Sequence, residues 1–292
     1  MSLLVTGSIG IDTVEAPAGK VVDALGGSCV YFAYAASFFN HTRIVGVVGD
    51  DCPDGFLEPL ESNAKVDTLG IEVREGSKTF RWHGKYHEDV NERDTLAVEL
   101  NVLGERGPSI PESYRDSRYV FLANTHPFLQ MELLNQLDGP ELVVADTMDL
   151  WIETEREGLT ALLMQIDGIV LNDSEARLLT QQTNVVAAGL KISELVKKFA
   201  VVKKGEHGSI LFMDGAAYPL AGYPTRDVID PTGAGDSFAG AMMGHLAAAD
   251  AVDIDTLKTA IAYGTVTASF ELEDFSLKRF LDLTRLDIDD RM

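Results

Sequence analysis

The chain has 292 residues, 46% of them hydrophobic, and carries a formal net charge of −22. The length suits one large α/β domain with ample material for a core, and the negative field argues against nucleic acid or an anionic membrane as a partner. Apolar runs reach only about ten residues, too short to cross a bilayer, and the opening MSLLVTGSIGID lacks the basic flank and long apolar region of a signal peptide.

Along the chain, apolar strand-like runs alternate with helical periodicity. Leu3–Thr6 reads as a strand that runs into a glycine turn, Cys29–Phe39 as a helix and Arg43–Val48 as a strand. Strands at Tyr119–Leu122 and Leu142–Ala145 flank a helix at Pro127–Gln136, and a further helix is expected over Thr154–Ile166. Strand Gly168–Leu171 leads to helices at Asp173–Thr180 and Ser193–Phe199, followed by strands Ala200–Lys203 and Ser209–Met213. Helices at Asp236–Ala249 and Asp255–Phe270 end the series. The alternation predicts a three-layer sandwich with a mostly parallel central sheet, in which ligands bind beyond the carboxyl ends of the strands.

Residues 70–100 break the rhythm: they are polar, alternating and without a helical stripe. They are expected, with residues 13–24, to form a small β lid over a site. Phe80, Trp82 and Tyr86 alternate there, placed to cover a ligand or to pack the lid against a second copy in a homodimer. His83 and His87 have a metal-compatible spacing only on a helix, and this segment reads as strand. Cys29 and Cys52 are too few for a disulfide framework; they are expected as ordinary buried or half-buried thiols in a reducing cytoplasm.

The sharpest chemical signal is VIDPTGAGDSFAG, from Val228 to Gly240. A strand-like approach ends in a glycine turn, and a helix begins near Asp236. The N–H groups of Gly233, Ala234 and Gly235 then converge where the helix dipole adds about half a positive charge. That is an anion hole for a transferring phosphoryl group, and Asp236 beside it is placed to take a proton from an attacking hydroxyl. No Gly-Lys-Ser/Thr closes the glycine run, so this is not a Walker A loop, and GxGxxG is absent. As bare pattern, a capped helix start explains the same residues.

The string DPTGAGDSFAG resembles the C-terminal signature of the ribokinase-like (PfkB) carbohydrate kinase family, and other segments fit in family order. GSIGID resembles the first strand and turn, whose last residue, Asp12, is implied to bind an acceptor hydroxyl. Gly26 and Gly27 resemble the Gly-Gly substrate loop. LNDSEA supplies the Asn-x-x-Glu pattern as Asn172 and Glu175, and KKGEHG resembles the nucleotide loop through Lys203, Gly205 and Gly208. Gly264 is also assigned to the nucleotide site. The resemblance implies ATP with Mg²⁺ held near Glu175 through water, and a monovalent cation, K⁺, at Asp230. Physically, Glu175 suits Mg²⁺, which takes few carboxylates beside phosphates and water. The pair Asn172 and Glu175 equally suits a helix cap.

Departures bear on the acceptor. Gly10 and Tyr31 stand where ribokinase has asparagines, and Asn124 stands where it has a glutamate that touches the sugar. Lys203 replaces a threonine, and either reaches phosphate as a point charge or lies on a solvated strand end. The expected reaction is phosphoryl transfer from ATP to a hydroxyl of a sugar or sugar derivative, with a nucleoside as the alternative acceptor. A non-catalytic binding protein and a nicotinamide-dependent dehydrogenase are the competing classes.

Overall fold

The computed structural model describes residues 1–292. Its strands, in chain order, are β1 (Leu3–Thr6), β2 (Gly10–Ala16), β3 (Gly19–Gly26), β4 (Thr42–Gly49) and β5 (Val66–Arg74). Next come β6 (Phe80–Tyr86), β7 (Arg93–Glu99), β8 (Tyr119–Leu122) and β9 (Leu142–Ala145). The last four are β10 (Gly168–Asn172), β11 (Phe199–Lys203), β12 (Ser209–Met213) and β13 (Ala216–Leu220).

Nine strands form one sheet in the order β13-β12-β11-β10-β9-β8-β1-β4-β5. From β5 to β11 every pairing is parallel, and only the β11–β12 and β12–β13 pairs are antiparallel. Helices cover both faces, which explains why the central strands are apolar on both sides. Leu3 and Val5 point into one core with Phe32, Met242 and Ile261; Leu4 between them points into the other with Leu159, Leu162 and Ile192. No helix is long and apolar enough to cross a membrane.

A second sheet of four strands, in the order β3-β2-β6-β7, stands apart from the first. It contains the 13–24 excursion but only part of the 70–100 segment expected there. Val66–Arg74 instead pairs with β4 in parallel at the edge of the large sheet. An alternating polar strand fits the edge of either sheet, so periodicity alone does not assign it.

Two helix expectations need correction. The helix expected at Thr154–Ile166 is shorter, Arg156–Leu163, and a separate helix, Asp149–Thr154, ends where it was expected to begin, the two broken at Glu155 with φ −128°. The helix expected at Ser193–Phe199 lies upstream, at Val185–Ser193. Asn184 starts it by accepting the N–H groups of Val186 and Ala187 through its side chain, a standard N-cap.

Candidate active site

The carboxyl ends of β1, β8, β9, β10 and β11 line one edge of the large sheet, and the glycine turn 231–235 faces it. The turn depends on Gly233, whose φ of 83° is left-handed. A Cβ there would meet the ring of Tyr31 at 2.4 Å, so the tyrosine ring lies flat against the turn. The helix Ala234–Ala249 follows at once. The N–H groups of Gly233 and Gly235 have no partner in the chain, whereas that of Ala234 donates to the Pro231 carbonyl at 3.3 Å. Of the three N–H groups expected to converge here, two glycine donors are thus free rather than all three; the tightness of the turn brings Pro231 within reach of Ala234.

Lys203, at the end of β11, reaches this turn. Its Nζ stands 2.6 Å from where a Cβ on Gly235 would be. The solvated-strand-end alternative is therefore set aside. Asp236 occupies the first helical turn. Removal from bulk water pushes its pKa up to about 6, against the pull of Lys203 and then Arg93. Asp146, directly after β9, is buried with its Oδ1 unpartnered. Burial, then the charge of Asp236, drives its carboxyl well up, and Lys203 opposes the shift.

Asn172 and Glu175 form a capping box. The Asn172 side chain accepts the Glu175 N–H at 2.7 Å, and Glu175 Oε2 accepts the Asn172 N–H at 2.8 Å. Burial raises the Glu175 carboxyl, with Lys203 as the largest opposing charge. The cap leaves Oε1 of Glu175 unused. In the loop after β11, Gly205 and Gly208 have φ of 54° and 81°. A Cβ on Gly208 would lie 2.2 Å from the Leu220 carbonyl oxygen.

Asp12 sits in β2 at 4% exposure, with Oδ1 unpartnered. Burial, then the charges of Asp230 and Asp236, raise its pKa to about 8. A Cβ on Gly26 would lie 1.9 Å from Asp12 Oδ2, so glycine is what lets this carboxylate turn inward. Gly27, at φ 103°, crosses the Ser8 backbone closely too, where a Cβ would meet the Ser8 carbonyl oxygen at 2.5 Å. Asn124, beyond β8, has its amide engaged: its Oδ1 accepts the Trp151 indole N–H at 2.9 Å and its Nδ2 faces Met148 Sδ at 3.2 Å. The Trp151 ring also packs on His126, with centroids 5.1 Å apart.

Other expected residues lie elsewhere or serve differently. Gly264 is buried between the helices Ala234–Ala249 and Ile254–Glu271, where a Cβ would meet the Phe238 carbonyl oxygen at 2.7 Å. Close helix packing calls for a glycine here. His83 bonds to Glu15 at 3.1 Å and His87 pairs with Asp94 at 3.1 Å. No group of three or more metal-ligating side chains gathers there. Cys29 and Cys52 are free thiols, buried and half-buried.

Sequence reasoning missed three charged residues of the site: Asp146, Glu271 and Arg93. Glu271 ends the helix Ile254–Glu271 at 0% exposure, with neither carboxylate oxygen partnered. Burial, then the charges of Asp230 and Asp236, drives it well above its ordinary range. Asp146 was within reach of a simple rule, since it follows directly on an apolar strand of a parallel sheet.

A buried carboxylate at a helix start, free N–H groups at a glycine turn and a lysine reaching that turn suit a phosphotransferase that acts on an alcohol group. Residues 135–281 match the pfkB family carbohydrate kinase description. The chain is 30% identical over 250 residues to cytidine kinase of Thermococcus kodakarensis, covering 83% of this chain and 87% of that protein. The chain belongs to the pfkB family of carbohydrate kinases. Its fold is similar to the nucleoside kinase of Burkholderia thailandensis in complex with inosine, with a TM-score of 0.80 at 18% identity, over 99% of this chain and 97% of that one. It is also similar to aminoimidazole riboside kinase of Salmonella enterica, complexed with the riboside and an ATP analog. That match has a TM-score of 0.80 at 15% identity, over 100% and 99% of the chains.

Proposed function

We propose that the chain is an ATP-dependent nucleoside kinase that phosphorylates a ribosyl hydroxyl. The 30% identity to a cytidine kinase along 83% of the chain carries the choice of a nucleoside over a free sugar. The local chemistry agrees. The position where ribokinase places a sugar-binding glutamate is Asn124, whose amide oxygen is already taken by the Trp151 indole N–H, so the acceptor it would offer a sugar hydroxyl is engaged and an aromatic residue stands beside it. An aromatic surface suits a base.

In the reaction, Asp12 holds the ribosyl group through a hydroxyl that satisfies its orphaned oxygen. The acceptor hydroxyl gives its proton to Asp236 as its oxygen bonds to the γ-phosphorus. The bond from that phosphorus to the bridging oxygen breaks, and the electron pair leaves with ADP. The N–H groups of Gly233 and Gly235 and the ammonium of Lys203 take up negative charge on the transferring group. The Tyr31 ring, pressed on Gly233, holds the turn and walls the acceptor side.

Glu175 fits a hydrated Mg²⁺, because its capping bond leaves one carboxylate oxygen for a water ligand. Bound there with the phosphates, the ion would neutralise charge. Asp230 and Glu271 fit a monovalent cation. Both are 0% exposed, their charges act on each other, and neither oxygen of Glu271 has a partner. Buried carboxylates in that state call for a cation or a proton.

Coupled-assay ADP release with ATP and a panel of cytidine, inosine, adenosine, ribose and fructose tests the assignment. Turnover at least tenfold higher in kcat/KM for a nucleoside than for either sugar is expected. A free sugar at the top of the ranking would reverse the choice of acceptor.

A further inference from the structure

The helix Ile254–Glu271 runs into a short bracket, residues 272–276, that touches both halves of the active site. The Ile229 N–H donates to the Leu272 carbonyl at 2.8 Å, which sets Glu271 alongside Asp230. Further on, the Ser276 N–H donates to Asp230 Oδ2 at 3.4 Å, and its hydroxyl donates to the Leu25 carbonyl at 2.5 Å, next to the Gly26–Gly27 loop. Glu271 itself is fully buried, and neither of its oxygens has a partner. No bond of its own carboxylate holds that side chain in place, so its position is inherited from its neighbours.

Those neighbours are gripped from outside. The Arg291 guanidinium lies 3.3 Å from the centre of the Phe270 ring, donates to Ser269 Oγ at 3.0 Å and pairs with Glu273 Oε1 at 2.7 Å. Arg279 pairs with the other oxygen, Glu273 Oε2, at 2.8 Å, and its guanidinium stands 5.1 Å from the same ring. Two arginines thus share one phenyl ring and one carboxylate, and the residues they hold flank Glu271 on both sides. The Arg291 side chain is only 17% exposed, so its pairing is better shielded than an ordinary surface ion pair. It belongs to the helix Arg285–Arg291. Arg285, at the other end of that helix, has different partners: its guanidinium lies over Phe39 and Tyr263 and pairs with Asp289.

We propose that Arg291 is a positioning residue for the cation site: by clamping Phe270 and Glu273 it sets the buried Glu271 carboxylate beside Asp230. The inference rests on the reading of Asp230 and Glu271 as a monovalent cation site. Before a cation binds, the two carboxyls act unfavourably on each other, and the chain has to hold them together. The clamp does so from the rim, through a stacked guanidinium that also makes two hydrogen bonds, a combination open to arginine and not to lysine. As a cation itself, Arg291 cannot ligate the ion and acts through the residues it holds. Loss of such an outer partner typically lowers metal affinity about 10–100-fold while every ligand stays in place. Asp230 leads directly into the glycine turn, and its Oδ1 accepts the Thr232 N–H at 2.9 Å. A cation site held in this way therefore also steadies the turn whose N–H groups face the phosphoryl group.

The test follows thermal melts and turnover against K⁺ concentration, with choline chloride holding ionic strength constant, in wild type, Arg291→Gln, Arg291→Lys and Arg285→Gln. Wild type is expected to melt higher and turn over faster as K⁺ rises. Arg291→Gln should raise the K⁺ concentration for half of the melting shift about tenfold, with kcat at saturating K⁺ and acceptor KM within threefold of wild type. Arg291→Lys should raise it less. Arg285→Gln loosens the same helix without touching Phe270 or Glu273. Its melting temperature should drop at every K⁺ concentration, while its half-saturating K⁺ stays within threefold of wild type. A half-saturating K⁺ within threefold of wild type in Arg291→Gln overturns the proposal. So does an equal rise in Arg285→Gln, which marks lost helix docking rather than positioning of Glu271. Where Arg291→Gln does not melt cooperatively, Arg291→Lys decides, and a half-saturating K⁺ equal to wild type overturns the proposal. A K⁺-dependent wild type beside an unaffected Arg291 variant sinks this inference alone. A wild type whose melting and turnover do not distinguish K⁺ from choline overturns the cation reading and this inference with it.

Discussion

The Nζ of Lys203 stands 2.6 Å from the point where a Cβ on Gly235 would be. One residue ends a strand of the large sheet and the other sits in the first turn of a helix more than thirty positions later in sequence. Lysine and glycine are therefore coupled: the lysine reaches the anion hole only because the glycine has no side chain.

Gly235→Val is expected to push the Lys203 ammonium aside and to crowd the phosphoryl position. Turnover should fall by about 10²–10³-fold, with acceptor KM much less affected. Steady-state kinetics with varied ATP and varied acceptor checks this. Near-normal turnover would place the phosphoryl group elsewhere.

The pH dependence follows from Asp236. A general base works only when deprotonated, and burial sets this one at about 6. Activity should be level above that value and fall tenfold per pH unit well below it. A profile of kcat/KM against pH between about 4.5 and 8 reads the limb directly. A limb near the ordinary aspartate value of about 4 would mean that Asp236 is solvated or is not the base.

Much of this site was legible from residue order. DPTGAGD fixes the turn, the helix start and the place of the Asp236 carboxylate, because glycine and aspartate there answer to backbone geometry. Strands Leu3–Thr6, Tyr119–Leu122 and Leu142–Ala145 stand as expected, since each is a short apolar run buried on both faces. What was not legible depends on tertiary placement. Arg93 and Glu271 are single charged residues in exposed-looking surroundings, and only folding brings their charges to bear on Asp236. The Val185–Ser193 helix was missed because VVAAGL reads as strand or loop locally, while its start is set by one Asn184 side chain. The amphipathic ISELVKKF downstream drew the expectation instead.

Asp12 trades stability for function. Its folded pKa of about 8 exceeds the ordinary value of 3.8. The folded state therefore favours the protonated form, and stability declines as pH rises from the unfolded value through about 8. Asp12→Asn removes the buried charge while keeping the shape. Its melting temperature should match wild type near pH 4 and exceed it increasingly up to pH 8, while acceptor kcat/KM falls at least tenfold. Thermal melts across pH check the first part and kinetics the second. A variant less stable than wild type at pH 8 would show that the carboxylate is satisfied by partners in the folded protein.

The most direct test of the account is the turnover of Asp236→Asn, measured together with its ADP affinity. The amide keeps the size of the side chain and removes the base. The account predicts a kcat at least about 10²-fold below wild type, with ADP binding within threefold and the fold intact by circular dichroism. A variant that keeps most of its turnover would contradict it, and the proton would have to leave the acceptor by another route.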